Sequence, residues 1–258
     1  MIFDSHMHTE VSADSSMKAA DALKRASELG IGAVFTEHED MNFPGEKDFT
    51  FSPQDYWAKY EALRGEGEHL RLGVELGMQD GLAKKNRAFV EEAPFDQVIG
   101  SIHTIEGHDL YYADIYKDRA KDDLYRLYLE TMARCVRSQG SFIDILAHID
   151  YIARYAAYSD TELTYAAYGD YIDEVLRALV ETDTVLELNT RRFDAPQGKA
   201  SLVPIFTRYR ELGGKEVTLG SDAHDAAAIG FAFTEAHELA ADLGLAVVTF
   251  LARKKEYC

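Results

Sequence analysis

Residues 31–38 read IGAVFTEH, an apolar run that ends on a carboxylate and an imidazole. It is short, β-branched and aromatic, and Gly30 bounds it, so it reads as a buried strand. Related runs recur along the chain. MIF (1–3) leads into DSHMH (4–8), followed by LRLGVELG (70–77), QVIGSIH (97–103), DILAHID (144–150), VLELNT (185–190) and EVTLGSDAH (216–224). Stretches of helical period lie between them. The first, SMKAADALKRASELG (16–30), is closed by Gly30 as a helix C-terminus, and SPQDYWAKYEALRG (52–65) places Ser52 as N-cap and Pro53 in the first turn. Further helices are expected in LAKKNRAFVEEA (82–93), KDDLYRLYLETMARCVRSQG (121–140), YAAYGDYIDEVLRALVETD (165–183), near LVPIFTRYRELGG (202–214), and in AAAIGFAFTEAHELAADLG (226–244).

Repetition of strand then helix predicts an α/β fold with a parallel sheet, either doubly wound or closed into a barrel. The ends of the strands decide between the two. His6 and His8 follow the first strand, Glu37 and His38 end the second, and Glu75 ends the third. His103, His148 and the pair Asp222 and His224 stand at the ends of the fourth, fifth and seventh. A barrel gathers those ends on one rim, where barrel active sites sit, whereas an open sheet spreads them along a line. The expectation is therefore a distorted (β/α)7 barrel, TIM-like, with a metal site at the C-terminal ends of the strands.

Length and composition agree. The 258 residues are 47% hydrophobic, and no Gly/Ser/Pro-rich linker divides them, so residues 1–258 are expected to form a single domain. Two cysteines, Cys135 and Cys258, provide neither a disulfide framework nor a CxxC knuckle. The polar DSHMH follows the start too closely for a signal peptide, and no run has the length of a membrane span. A cytoplasmic enzyme is expected. A net charge of −18 repels nucleic acid and is mostly a matter of solubility; an anionic substrate then requires local positive charge.

Each motif is weak alone. His6 and His8 at i and i+2 point the same way along a strand and can share an ion. Glu75 lies inside an apolar strand, where an unpartnered carboxylate costs several kcal/mol, so it needs a cation. Of nine histidines, His6, His8, His38, His103, His148 and His224 fall at strand ends, while His69, His108 and His237 read as surface or structural. With Asp14, Glu75 and Asp222 they exceed the coordination of one ion, so a cluster is implied. Imidazole and carboxylate together suit zinc, iron or manganese.

The succession DSHMHTE, TEH, GVE, GSIH, AHID and GSDAH resembles the polymerase and histidinol phosphatase (PHP) superfamily, and its histidinol-phosphate phosphatases in particular. GSIHTIEG after strand four and the Arg154 segment HIDYIAR carry the closer likeness. The resemblance runs from residue 4 to residue 224 and implies a (β/α)7 barrel with three divalent metal ions. By it, His6, His8, Glu75 and Asp222 hold the first ion, and Glu75 bridges to a second held by His103 and His148. Asp14, His38 and His224 hold the third. Glu37 stands where aspartate is common, and is read as orienting a ligand or a water.

The implied reaction is hydrolysis of a phosphate monoester, L-histidinol phosphate. Two ions roughly 3.5–4 Å apart acidify a water between them, and a third can grip phosphate oxygens. Arg154 and Arg192 are expected to clamp the phosphate, with Arg191 a close rival of Arg192. Asp222, Glu75 and His224 are expected to carry the catalysis, and Asp222 is a candidate proton donor to the departing alkoxide. Tyr111, Tyr112 and Tyr116, with Tyr155 and Tyr158, suit either a lid or a cover for apolar barrel surface. Alternatives are a phosphoesterase of the same fold acting on a nucleotide, phosphodiester or phosphotyrosine, and a non-catalytic metal-binding module. An amidohydrolase is disfavoured, because the fourth strand ends in GSIH without the lysine that bridges metals in those enzymes.

Overall fold

A computed structural model describes residues 1–65 and 68–258. In chain order the elements are β1 (Phe3–Met7), α1 (Ala19–Leu29), β2 (Gly32–Glu39), α2 (Pro53–Arg64), β3 (Leu70–Gly77), α3 (Ala83–Val90) and β4 (Gln97–Ser101). A small hairpin follows, β5 (Thr104–Ile105) and β6 (His108–Asp109), and then α4 (Lys121–Gln139), β7 (Ile145–Leu146) and α5 (Tyr151–Tyr155). The chain continues through α6 (Tyr165–Thr182), β8 (Val185–Asn189), α7 (Pro196–Glu211), β9 (Glu216–Gly220), α8 (Phe233–Asp242), β10 (Ala246–Leu251) and β11 (Lys254–Tyr257).

The sheet order is β1-β2-β3-β4-β7-β8-β9-β10-β11, and every pairing up to β10 is parallel. The first seven strands in that order close on themselves. The Asp222 N–H donates to His6 O at 2.9 Å, and the His8 N–H donates to Ala223 O at 2.9 Å, joining β1 to the segment after β9. The result is a seven-stranded parallel barrel with its seam at the metal-capable residues. It is distorted because β9 pairs with β10 near its start, through Glu216 and Val217, and the chain reaches β1 only beyond its end.

Burial explains the strand sequences. Every residue of β2 and β3 is buried, since one face meets the helices and the other the barrel interior. On β4, Ile99 and Ser101 share the inner face. Ser101 touches Glu75 near the top, while Ile99 lies below with Ile145, Ala147, Val185, Val248 and Phe250 in an apolar cluster. Two of those six come from β10, so the β10–β11 hairpin plugs the lower end. It is tied there by the Ala252 N–H to Asp96 Oδ1 (3.0 Å) and by Arg253 Nε to Asp144 Oδ2 (2.5 Å). Neither strand of this plug is among the seven expected.

Two expected caps are present. Gly30 sits at φ 68°, the left-handed closure of α1, and the Ser52 side chain accepts the Asp55 N–H at 3.2 Å. Other boundaries differ. The helix expected over 226–244 begins only at Phe233, because Gly230 (φ 66°) and Ala232 (φ 55°) break the backbone ahead of it. The helix near 202–214 starts at Pro196, whose fixed φ suits a first turn. Among the described residues, no helix is long and apolar enough to cross a membrane.

Candidate metal centre

The carboxyl ends of the strands meet at the floor of a cavity of about 930 Å³. The structure brings together all nine residues singled out as ligands. The first group is His6, His8, Glu75 and Asp222. His6 Nε2 lies 3.2 Å from Glu75 Oε2, and His8 Nε2 lies 3.4 Å from the same oxygen and 3.3 Å from Asp222 Oδ1. In the second, Glu75 Oε1 is 3.2 Å from His103 Nε2 and 2.9 Å from His148 Nε2. In the third, Asp14 Oδ2 is 3.2 Å from His224 Nε2 and 3.6 Å from His38 Nε2.

These separations match what an ion needs. Donors about 2.1 Å from a metal stand roughly 3.0 Å apart at octahedral edges and 3.4 Å at tetrahedral ones. Polar satisfaction points the same way. Among the described residues, the buried atoms His6 Nε2, His8 Nε2 and Glu75 Oε2 have no hydrogen-bond partner, a costly condition that a cation relieves. The donor set therefore fits zinc-like ions, and the candidate clusters His6–His8–Glu75 and Glu75–His103–His148 are wholly buried.

The electrostatics are those of anions seeking counter-charge. Burial works against ionisation of Glu75, yet His6, His103 and His38 hold its pKa well below the usual range. Burial likewise opposes protonation of His6, but Glu75, Glu187 and Asp222 outweigh it and lift its pKa well above 6.5. His103 is raised to about 10 against the same penalty, by Asp40 and Glu75. His8 is drawn down to about 3, by burial and by its neighbours His38 and His224. The surrounding carboxylates thus favour the protonated forms of His6 and His103, while His8 is held toward its neutral form.

Residues around the ligands fix their orientation, and these the sequence did not single out. Glu187 Oε1 meets His6 Nδ1 at 2.7 Å, while Oε2 accepts the His148 N–H (2.8 Å) and an Asn189 Nδ2 proton (3.0 Å). Asp40 Oδ1 meets His103 Nδ1 at 2.9 Å, and Ser101 Oγ donates to Glu75 Oε1 at 2.6 Å. Such partners set the tautomer and aim the other nitrogen inward. Two glycines make room for them. A Cβ on Gly220 would lie 2.0 Å from Glu187 Oε1, and one on Gly77 would lie 1.9 Å from Asp40 Oδ1. Glu37 touches no ligand nitrogen. It accepts from the Thr9 and Ser12 backbone N–H groups and from both hydroxyls, and so pins the loop that carries His8 and Asp14.

Two expectations need correction. Arg192 does not face the cavity: its Nη1 donates to Asp150 Oδ2 (2.7 Å) and its Nη2 to Glu162 Oε1 (2.5 Å), which ties down the turn after β8. Arg191 and Arg154 line the cavity instead. Arg191 Nη1 donates to the Asp222 carbonyl at 2.6 Å, and Arg154 bridges the Asp222 carboxylate and Asn189 Oδ1 (2.9 Å). Asp222 is also a poor proton donor. Burial would raise its pKa, but His6 and Arg154 hold it well below the usual range, so it stays ionised. Tyr111, Tyr112 and Tyr155 stand at the cavity mouth, whereas Tyr116 is buried against the barrel.

Comparison with known proteins agrees with this geometry. The PHP domain pattern matches residues 4–191. The chain is 42% identical over 257 residues to a probable histidinol-phosphatase of Clostridium acetobutylicum, covering all of both chains. It is 32% identical to the histidinol-phosphatase of Lactococcus lactis, over 86% of this chain and 83% of that one. The crystal structure of L. lactis histidinol phosphate phosphatase complexed with zinc, L-histidinol and phosphate superposes with a TM-score of 0.92 at 31% identity, covering 99% of this chain and 98% of that one. The chain belongs to the PHP domain family, on its histidinol-phosphatase branch.

Proposed function

We propose that this chain is a metal-dependent phosphomonoesterase that hydrolyses L-histidinol phosphate to L-histidinol and phosphate, with residues 1–258 acting as one catalytic unit. The observation that carries the reading is the cluster of six imidazoles and three carboxylates at the floor of the cavity, in a chain that superposes on a phosphatase holding zinc, L-histidinol and phosphate. We assign three ions: one to His6, His8, Glu75 and Asp222, one to Glu75, His103 and His148, and one to Asp14, His38 and His224. When bound, divalent ions supply Lewis acidity, offsetting phosphate charge and acidifying water at neutral pH.

The chain's own residues do the positioning. Glu187 and Asp40 hold His6 and His103 in the tautomer that leaves Nε2 free. Arg154, fixed between Asp222 and Asn189, keeps a buried Nε–H that has no partner among the described residues, and with Arg191 it presents guanidinium donors to the phosphoryl oxygens. These two cations oppose the repulsion that an acidic protein exerts on a dianion. Asp222 orients Arg154 while remaining ionised. Tyr151 packs between His103 and His148 at 4.9 Å from each ring and shields the floor from water.

The test is phosphate release from L-histidinol phosphate, beside a panel of nucleotides and an aryl phosphate, with metal content measured on the same preparation. Selective release with more than two metals per chain is expected. Bound metal with histidinol phosphate untouched would move the substrate to another phosphoester.

A further inference from the structure

We propose that Asp4 is a positioning residue, whose carboxylate clamps both ends of the 221–230 loop to β1 and so holds Asp222 in the backbone conformation its ligand role requires. The inference rests on the ion assignment above. Asp4 is wholly buried in β1, two residues ahead of His6. Its Oδ1 accepts the Ser221 N–H at 3.0 Å, and its Oδ2 accepts the Ser221 hydroxyl at 2.5 Å and the Gly230 N–H at 2.9 Å. Ser221 opens the loop that carries Asp222 and His224, and Gly230 closes it. One side chain thus holds both ends.

Two features of the seam make the clamp necessary. Among the described residues, the backbone bonds from β1 across the seam are those linking His6 to Asp222 and His8 to Ala223. Nearer the start of β1, Asp4 supplies side-chain bonds where a ladder would supply backbone ones. The second feature is the backbone of Asp222, at φ 53°. A residue with a Cβ does not choose the left-handed region, so its neighbours must fix it. Asp4 grips the residue before it, and Arg191 Nη1 grips the Asp222 carbonyl at 2.6 Å. Between these anchors the Asp222 carboxylate reaches His6, His8 and Arg154. Releasing the loop would loosen the first and third groups through Asp222 and His224. The second group, Glu75 with His103 and His148, stands on other strands and would keep its place.

Asp4→Asn keeps the volume but not the fit. Wherever the new NH2 sits, it faces the Ser221 N–H or the Gly230 N–H, and one backbone donor loses its acceptor. Two readouts test the clamp: hydrogen exchange of the metal-free protein, and chelator competition of the zinc-loaded protein. Amides of residues 221–230 should exchange at least about fivefold faster, as expected for loss of one buried hydrogen bond. Zinc at the sites using Asp222 and His224 should bind about 10–100-fold more weakly, while the ion of Glu75, His103 and His148 is retained. Asp144→Asn is the structural control, since Asp144 accepts the Val98 N–H at 2.8 Å and ties Arg253 at the lower end of the barrel. It should lower Tm and move neither readout. Unchanged exchange and affinity in Asp4→Asn, equal loss of every ion, or the same losses in Asp144→Asn would overturn the assignment. Should Asp4→Asn not fold, Ser221→Ala removes the hydroxyl donor alone; a weaker loss confined to the same loop and ions is then expected, and its absence is decisive. If the unchanged protein binds no zinc, the metal reading fails by itself, and exchange of residues 221–230 still decides the role of Asp4.

Discussion

Replacing Glu187 by Gln removes one charge and changes no volume, yet neither orientation of the new amide satisfies its surroundings. Glu187 Oε1 faces His6 Nδ1, and Oε2 accepts from the His148 N–H and Asn189. If the Gln carbonyl turns to His6, its NH2 meets two donors, and a buried N–H left unpaired costs about 1–3 kcal/mol. If the NH2 turns to His6, Nδ1 must become an acceptor, and the imidazole proton moves to Nε2, pointing at Glu75 where an ion should sit. The first outcome lowers stability, and the second weakens metal binding by about 10–100-fold, or roughly 1.4–2.8 kcal/mol. Chelator competition followed by metal analysis measures the affinity, and thermal melting of the metal-free protein measures the stability. At roughly 2–4 °C per kcal/mol for a chain of this size, the two losses together should account for about 1–3 kcal/mol. A variant with unchanged metal affinity and unchanged metal-free Tm would refute the claim that Glu187 sets the His6 tautomer.

Other perturbations separate ligands from their supports. Glu75→Gln should abolish turnover and cut metal content by more than one ion per chain, since both oxygens are used; full activity would sink the shared-carboxylate assignment. Arg154→Ala and Arg191→Ala should each raise KM at least about tenfold, whereas Arg192→Ala should lower Tm with KM little changed. Asp40→Asn should lower metal content by loosening His103, and Gly77→Ala should do the same, because the added methyl would lie 1.9 Å from Asp40 Oδ1; normal loading of the Gly77 variant would show that Asp40 can move away. Zinc affinity should rise with pH through the neutral range, by about tenfold per unit for each proton displaced, because His6 and His103 carry raised pKa values and must lose protons to bind; a flat competition profile would contradict this. Burial, against the Phe51 N–H and with Asp40, Asp48 and Glu92, raises Glu39 to about 8. Stability held by its neutral form is complete below pH 4.5 and is lost as pH rises through 8, so Glu39→Gln should flatten the fall in Tm between pH 6 and 9.

The clustered residues were legible because an ionisable residue closing an apolar run violates the economy of burial, and such violations recurred at related positions. Their supports were not. Glu187 and Asp40 are buried carboxylates written in the same letters as Glu75, and only closure of the barrel decides which meet an ion and which meet the back of an imidazole. Arg191 and Arg192 are adjacent in a turn, where no period tells which side chain faces inward. Helix α5 is too short to show a repeat, and the β10–β11 plug carries no chemistry to draw the eye. Within the helix expected over 226–244, the left-handed backbone at Ala232 is set by packing, since alanine has no preference for it.

The barrel seam lies between the first strand and the segment that follows the ninth, and the first and third groups straddle it. His6 and His8 leave the ribosome early, whereas Asp222 and His224 follow only after almost every other strand has been made. No nascent chain short of Asp222 can offer the first group in full, and none short of His224 can offer the third. In a chain that has reached His148, the second group, Glu75 with His103 and His148, is the one already complete. Completion of the first and third groups is thus a late event in the protein's synthesis, and under the proposed assignment an ion seated across the seam would act as its clasp.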